Sequence, residues 1–275
     1  MSKEPKALLI TEGTKTEPRF FGRIEELFGL QLHIVCMSAN IFKLYNQMEK
    51  AQFDCNVKDL LTECLPSNLD PKTRQTYLEQ LQDKYAYIYF VFDFDIQHHE
   101  EGQETNIEKN CQKIQRMLQE LNDETDDTRG KLYINYPMME SYRDIDSFSD
   151  PAFAQSSVAV QQLTHYKHLV SQKQMGNKDI TRYTKENFVD IFKLNFHKLE
   201  TIHQTVLHDK KQYQTLTEGS NIYTKIKEKL DKESMVYILN TSIFFLGEFN
   251  YFNKQYLVPL LSSNNTNYTS NTSQY

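Results

Sequence analysis

The stretch "YIYFVFDFDIQHHE", Tyr87 to Glu100, decides how the chain is read. Its first six residues are aromatic or β-branched, the composition of a strand buried on both faces. It then closes on Asp93 and Asp95, followed by His98 and His99. A strand entering water needs one polar residue to stop it, and here there are two acids two positions apart. Side chains alternate along an extended chain, so Asp93 and Asp95 are expected on the same side. Like charges held together resist ionisation unless a cation compensates them.

Working outward, strand-like and helix-like segments alternate. "KALLIT" (Lys6 to Thr11) is a short apolar run. After it, Phe20, Phe21, Ile24, Leu27 and Phe28 recur at helical spacing. "LHIVCMS" (Leu32 to Ser38) reads as a second strand, and "NIFKLYNQMEKA" as a helix capped by Asn40. Helices are expected at Val57 to Leu65 and Pro71 to Asp83, then at "NIEKNCQKIQRMLQEL" beyond the central strand. "KLYINYP" gives a fourth strand, stopped by Pro137. This alternation predicts an α/β fold, a mostly parallel sheet flanked by helices, over residues 1–150. From Pro151 no strand is evident, and residues 151–261 read as an α-helical region. The polar, uncharged end, residues 262–275, reads as a disordered tail.

Composition narrows the classes. The chain has 275 residues, a formal net charge of −6 and 39% hydrophobic residues, enough to bury a core. No apolar run is long enough to span a bilayer, and "MSKEPKALLI" lacks the apolar core and cleavage site of an export signal. The expectation is a cytoplasmic protein with no membrane association. Cys36, Cys55, Cys64 and Cys111 show no C-x-x-C spacing, against a zinc ribbon or a redox pair. A protein that grips nucleic acid by overall charge is usually basic. Any nucleic-acid contact here therefore needs a local basic patch, metal ions or another subunit.

Open parallel sheets gather their chemistry at the carboxyl ends of the strands. Three strand ends carry acids: Glu12 after "LLIT", with Glu17 further on; Asp93 and Asp95; and Glu140 past Pro137. Each has an ordinary structural reading by itself. Glu17 suits the first turn of a helix, where the macrodipole favours an anion. Glu140 suits a helix cap, and the two histidines suit a solvated loop. Together the carboxylates make an oxygen-rich set that fits Mg²⁺ or Mn²⁺.

"LLITEGTKTEPRFF" (Leu8 to Phe21), followed by "YFVFDFD" (Tyr89 to Asp95), resembles the TOPRIM domain, with a Glu after the first strand and a D-x-D after a later one. "EGTKTEPRFF" is similar to the RloB branch, as are "NYPMMESY" (Asn135 to Tyr142) and the shorter "RYTKENF" (Arg182 to Phe188). OLD-type and AriB-type nucleases use the same scaffold. The resemblance implies a TOPRIM-like catalytic domain with Glu12 as metal ligand or general acid/base and Asp93 with Asp95 as principal metal ligands. It further implies Glu140 at a second metal, Glu17 as an additional candidate, and Lys185 as a charge stabiliser on the scissile phosphate. OLD-type sites carry an Asp four residues after the first Glu, where this chain has Thr16.

TOPRIM scaffolds serve topoisomerases, primases and nucleases, so the fold does not select among them. The remainder of the chain is too small for a tyrosine-bearing breakage domain, and the cysteines make no primase zinc module. The expectation is a metal-dependent nuclease cleaving RNA or DNA, in antiviral defence against phage, as a homo-oligomer or with a regulatory protein subunit. Two alternatives stand beside it. One is a nucleotide-sugar transferase, which also sets a D-x-D against a diphosphate. The other is a non-catalytic TOPRIM-like interaction module.

Overall fold

The computed structural model describes residues 4–99, 102 and 104–263. Five strands, β1 (Lys6–Thr11), β2 (Gln31–Cys36), β3 (Tyr87–Asp93), β4 (Asn122–Asp123) and β5 (Gly130–Asn135), form one sheet in the order β2-β1-β3-β5-β4. All neighbours pair parallel except β4, a two-residue strand antiparallel to β5. The α/β expectation of a mostly parallel sheet flanked by helices is met. Burial on both faces explains the unbroken apolar runs: Leu8, Leu9, Ile10, Tyr89, Phe90, Val91 and Phe92 are all buried.

The chain leaves β1 toward β2 on one side and β3 toward β5 on the other. The carboxyl ends of β1 and β3 therefore flank a topological switch point, the place where open α/β sheets bind ligands. The register sets Thr11 beside Val91 and Asp93 beside Asn135, so Glu12 and Asp93 emerge side by side.

Local signals fix the helices α1 (Thr16–Phe28), α2 (Ile41–Lys50), α3 (Val57–Cys64), α4 (Pro71–Gln82) and α5 (Ile107–Glu120). Asn40, Asn56, Asp70 and Asn106 each accept a hydrogen bond from a first-turn backbone N–H, closing donors that the helix cannot use. Beyond Pro151 come α6 (Tyr166–Ser171), α7 (Lys185–His203), α8 (Lys210–Thr217) and α9 (Gly219–Glu233). Thr184 and Asn187 form a capping box at the start of α7.

This later region is not wholly helical. β6 (Ser157–Ala159) and β7 (Met235–Tyr237) pair antiparallel, correcting the expectation of no strand after Pro151. Three residues are too few to display the period-two pattern by which a strand is recognised. The hydrophobic core runs without a break across position 150. Phe21 of α1 and Tyr89 of β3 both meet Phe245, at 5.4 and 5.9 Å between ring centroids. On the opposite face, Tyr223 of α9 donates through its hydroxyl to the Cys111 carbonyl of α5 at 2.7 Å. The wholly buried Lys198 of α7 points its ammonium at three acceptors, the carbonyls of Phe153 and Ser156 and the Ser156 hydroxyl, at 2.6–2.7 Å.

The four cysteines are free of disulfides. Among the described residues no helix is long and apolar enough to cross a membrane. Ser262 and Ser263, expected in the disordered tail, instead continue the closing helix, and the Ser262 hydroxyl donates to the Val258 carbonyl. Residues 264–275 lie outside the described residues.

Candidate active site

Glu12 is the first residue past β1. Its own N–H bonds the Val91 carbonyl, extending the strand pairing by one step, and its Oε2 accepts from the Asp93 N–H at 3.1 Å. Asp93 ends β3 and accepts from the Met139 N–H at 2.7 Å through Oδ1. That N–H opens a 3₁₀ turn, Met139–Arg143, placed just after β5 and the cis Tyr136–Pro137 bond. Glu140, on the same turn, is only 3% exposed. Across the gap, Glu17 in the first turn of α1 is 6% exposed and reaches back to accept from the Gly13 N–H at 3.0 Å.

Burial and crowding together shape the electrostatics. Burial pushes the Glu12 carboxyl up to about 7, with further upward pressure from Asp95 and Glu17; the Asp93 N–H and Lys167 pull the other way. Asp93 is raised well above the usual carboxylate range, by burial first and then by Glu12, Glu17 and Glu140. Burial likewise raises Glu17, with Glu140 adding to it. Four carboxylates thus share one site and disfavour each other's charge.

Asp95 departs from the expected geometry. The strand ends at Asp93, and the Asp95 N–H turns back to the Asp93 carbonyl at 3.0 Å, as the Ile96 N–H does to Phe94. These tight turns break the period-two alternation, so the close like-charge pair is Glu12 with Asp93 rather than Asp93 with Asp95. Asp95 stands at the rim, raised by burial and lowered by His98 and His99. His98 is 3.9 Å from it, bonds Asn40 at 3.0 Å and stacks on Phe42, while His99 is exposed.

Lys185 is not brought to this site. Its ammonium lies over the rings of Phe28 and Tyr251, at 5.2 and 4.9 Å. Phe28 ends α1, whereas Glu17 is in its first turn, so about 17 Å of helix separates the two. A cation that does reach the site is Lys167 of α6, whose Nζ is 3.3 Å from Glu140 Oε1. Burial acts to lower the Lys167 ammonium, but Glu140, Asp93 and Glu17 together outweigh it and hold the proton more tightly. Nothing in "LTHYKHLV" singles this lysine out, because only the packing of α6 on the Met139–Arg143 turn brings it here.

Two clefts meet at Glu12, Asp93 and Lys167. One, of about 360 Å³, also has Asp95, Gln97, Met138 and Leu163 on its walls. The other, of about 270 Å³, is bounded by the Gly13–Glu17 loop and Glu140. A buried polar lattice holds the floor. Asn135 accepts from the Ser242 N–H and points its amide at the Met139 sulfur, while Asn240 donates to the Met139 carbonyl. An asparagine closing the apolar run "KLYIN" is the sequence signal for Asn135; Asn240 has none.

Among the described residues, no group of three or more His, Cys, Asp or Glu side chains is gathered as a ready-made metal site. The donor chemistry still fits a hard divalent cation. All the donors are carboxylate oxygens, burial with crowding raises the pKa of Glu12 and of Asp93, and Glu140 Oε2 is buried with no hydrogen-bond partner. Comparisons with protein-family models, with curated proteins and with solved structures found no match to this chain.

Proposed function

We propose that the chain is a divalent-metal-dependent nuclease of TOPRIM type, hydrolysing phosphodiester bonds of RNA or DNA. The observation that carries this reading is the crowding of Glu12, Asp93, Glu17 and Glu140 at the switch point, with the Glu12 carboxyl lifted to about 7. Glu12 and Asp93 would hold Mg²⁺ or Mn²⁺, with Asp95 at the rim and Glu140 and Glu17 on the far side. When bound, such an ion polarises a phosphoryl oxygen and lowers the pKa of water. A carboxyl titrating near neutrality is suited to exchange a proton with the attacking water or the leaving oxygen. The Lys167 ammonium, where the two clefts meet, is a group in reach of a phosphate there, and in this reading it takes the role expected of Lys185.

The resemblance to the RloB and AriB group makes defence against phage the setting of the proposal. The net charge of −6 disfavours unaided binding to long nucleic acid, so a second copy or a regulatory subunit belongs to it.

The test is incubation of the purified protein with labelled RNA and DNA, with Mn²⁺ or Mg²⁺ against chelator. Metal-dependent cleavage that falls 10²–10⁴-fold in Glu12→Gln and Asp93→Asn is the expected result. Cleavage unchanged in Glu12→Gln sinks it. A strictly monomeric sedimentation profile with full activity would remove the partner from the proposal.

A further inference from the structure

An acidic protein that acts on a polyanion needs somewhere to hold it. Past Glu140, the described surface carries four basic side chains in the company of a single carboxylate, Asp179. Arg143 follows Glu140 by three residues on the same 3₁₀ turn, about 6 Å along its axis. Its Nε is buried with no hydrogen-bond partner, and its guanidinium has no carboxylate within ion-pair distance among the described residues. The Tyr142 ring lies 5.9 Å from it. Leaving a guanidinium N–H buried without an acceptor is costly, and the Arg143 side chain as a whole is only half-buried, leaving its outer part to meet an anion.

Three more cations share its neighbours: Arg143 and Lys178 both act on Tyr183, and Asp179, which acts on Tyr142 as Arg143 does, feels Arg182 and Arg19. Lys178 lies over the rings of Phe148 and Tyr183, at 5.2 and 5.3 Å, and makes no ion pair among the described residues. Arg182 and Arg19 are exposed and likewise unpaired within ion-pair distance. Asp179 is the carboxylate among them; hydrogen bonds from Thr181 hold it low, helped by Arg182 and Arg19. The ground beneath is firm. Arg23 of α1 donates through Nε and a terminal nitrogen to the Tyr183 carbonyl, at 3.0 and 2.9 Å, tying the 180–184 segment to α1. Tyr183 is itself wholly buried.

We infer that Arg19, Arg143, Lys178 and Arg182 form a backbone-binding strip that carries the phosphates of a nucleic-acid strand to the carboxylate cleft. This rests on the nuclease reading and supplies what the overall charge withholds, a local positive surface leading away from Glu140. Arginine suits the task because its planar fork matches phosphate oxygens. Four neutralised phosphates on a single strand give a slope of about −2.8 in log K against log salt. Binding should then weaken about fiftyfold between 50 and 200 mM salt.

The experiment uses the full chain in chelator, so that nothing is cleaved, with fluorescence anisotropy of labelled single-stranded RNA and DNA oligonucleotides. The parent should show the fiftyfold salt effect. Arg143→Ala/Arg182→Ala should bind more weakly at 50 mM and lose only about sevenfold over the same range. Because Arg143 is partly buried, Arg19→Ala/Arg182→Ala, exposed at both positions, is the second variant and should behave alike. Unequal binding of RNA and DNA identifies the strand the strip holds. Parent-like affinity and salt slope in both variants, or no binding by the parent at 50 mM, overturns the strip. A separate arm measures Mn²⁺-dependent cleavage of a dinucleotide by the parent and by Glu12→Gln. Cleavage there with no strip dependence in the binding arm rejects the strip and keeps the nuclease. Strip-dependent binding with no cleavage rejects the nuclease and keeps the strip.

Discussion

Glu12 sets the pH behaviour of the metal-free protein. Its folded-state pKa, about 7, lies above the ordinary 4.5, so the folded chain binds this proton more tightly than the unfolded one. The stabilisation is complete below about pH 4.5 and is lost as pH rises through 7. It amounts to on the order of 1–3 kcal/mol. Glu12→Gln, uncharged at every pH, should therefore come near the parent at about pH 4 and exceed it in stability at about pH 8, as chemical denaturation in chelator would show. Equal stability at both values would mean that burial and its neighbours do not raise Glu12 as described. Lys167 acts on the same group with opposite sign. Removing its positive charge in Lys167→Ala should move the Glu12 midpoint above 7, read by carbon-13 NMR of the labelled glutamate carboxyls; a downward shift would contradict the geometry.

At the scale of elements, the turn from β1 into α1 is the tightest part of the site. A Cβ on Gly13 would stand 2.6 Å from Glu17 Oε2, so Gly13→Ala must displace that carboxylate. The obstacle is the end of a flexible side chain, and the stability change should stay within about 1 kcal/mol. The Glu12 midpoint should fall, because a repelling neighbour has moved away. An unmoved midpoint would show that Glu17 does not act on Glu12. This junction was legible in "LLITEG", and so was β3, since long apolar runs and Asn or Asp caps are local signals. The Met139–Arg143 turn was legible only as a place where Glu140 follows a proline. Its position depends on Asn135, Asn240 and Ser242, which lie as much as 107 residues apart in the chain. Lys185 was misplaced for the same reason: "RYTKENF" reads as one motif, but its helix starts at the far end of α1. The expected same-side placement of Asp95 with Asp93 was lost more locally, through a turn that begins at the last residue of the strand.

On the scale of the whole molecule, the later region is part of the fold of the first. The Thr241 hydroxyl bonds the Ile134 carbonyl at 2.7 Å, Tyr136 and Leu239 form a bridge, and Phe245 covers Tyr89. A chain cut after residue 150 would uncover one face of β3 and β5 and strip the support from Glu140. It should bind hydrophobic dye and lack a cooperative unfolding transition; a sharp transition would show that the α/β portion is self-sufficient. Lys198 gives the intact molecule a clock. An acylating reagent reacts with the outer amines at once, but this one is wholly enclosed and its three protons are engaged. Its modification must wait until α7 parts from the 153–156 segment. Mass spectrometry of the peptide bearing Lys198 would then count openings of the helical layer one molecule at a time, in the folded protein and without denaturant.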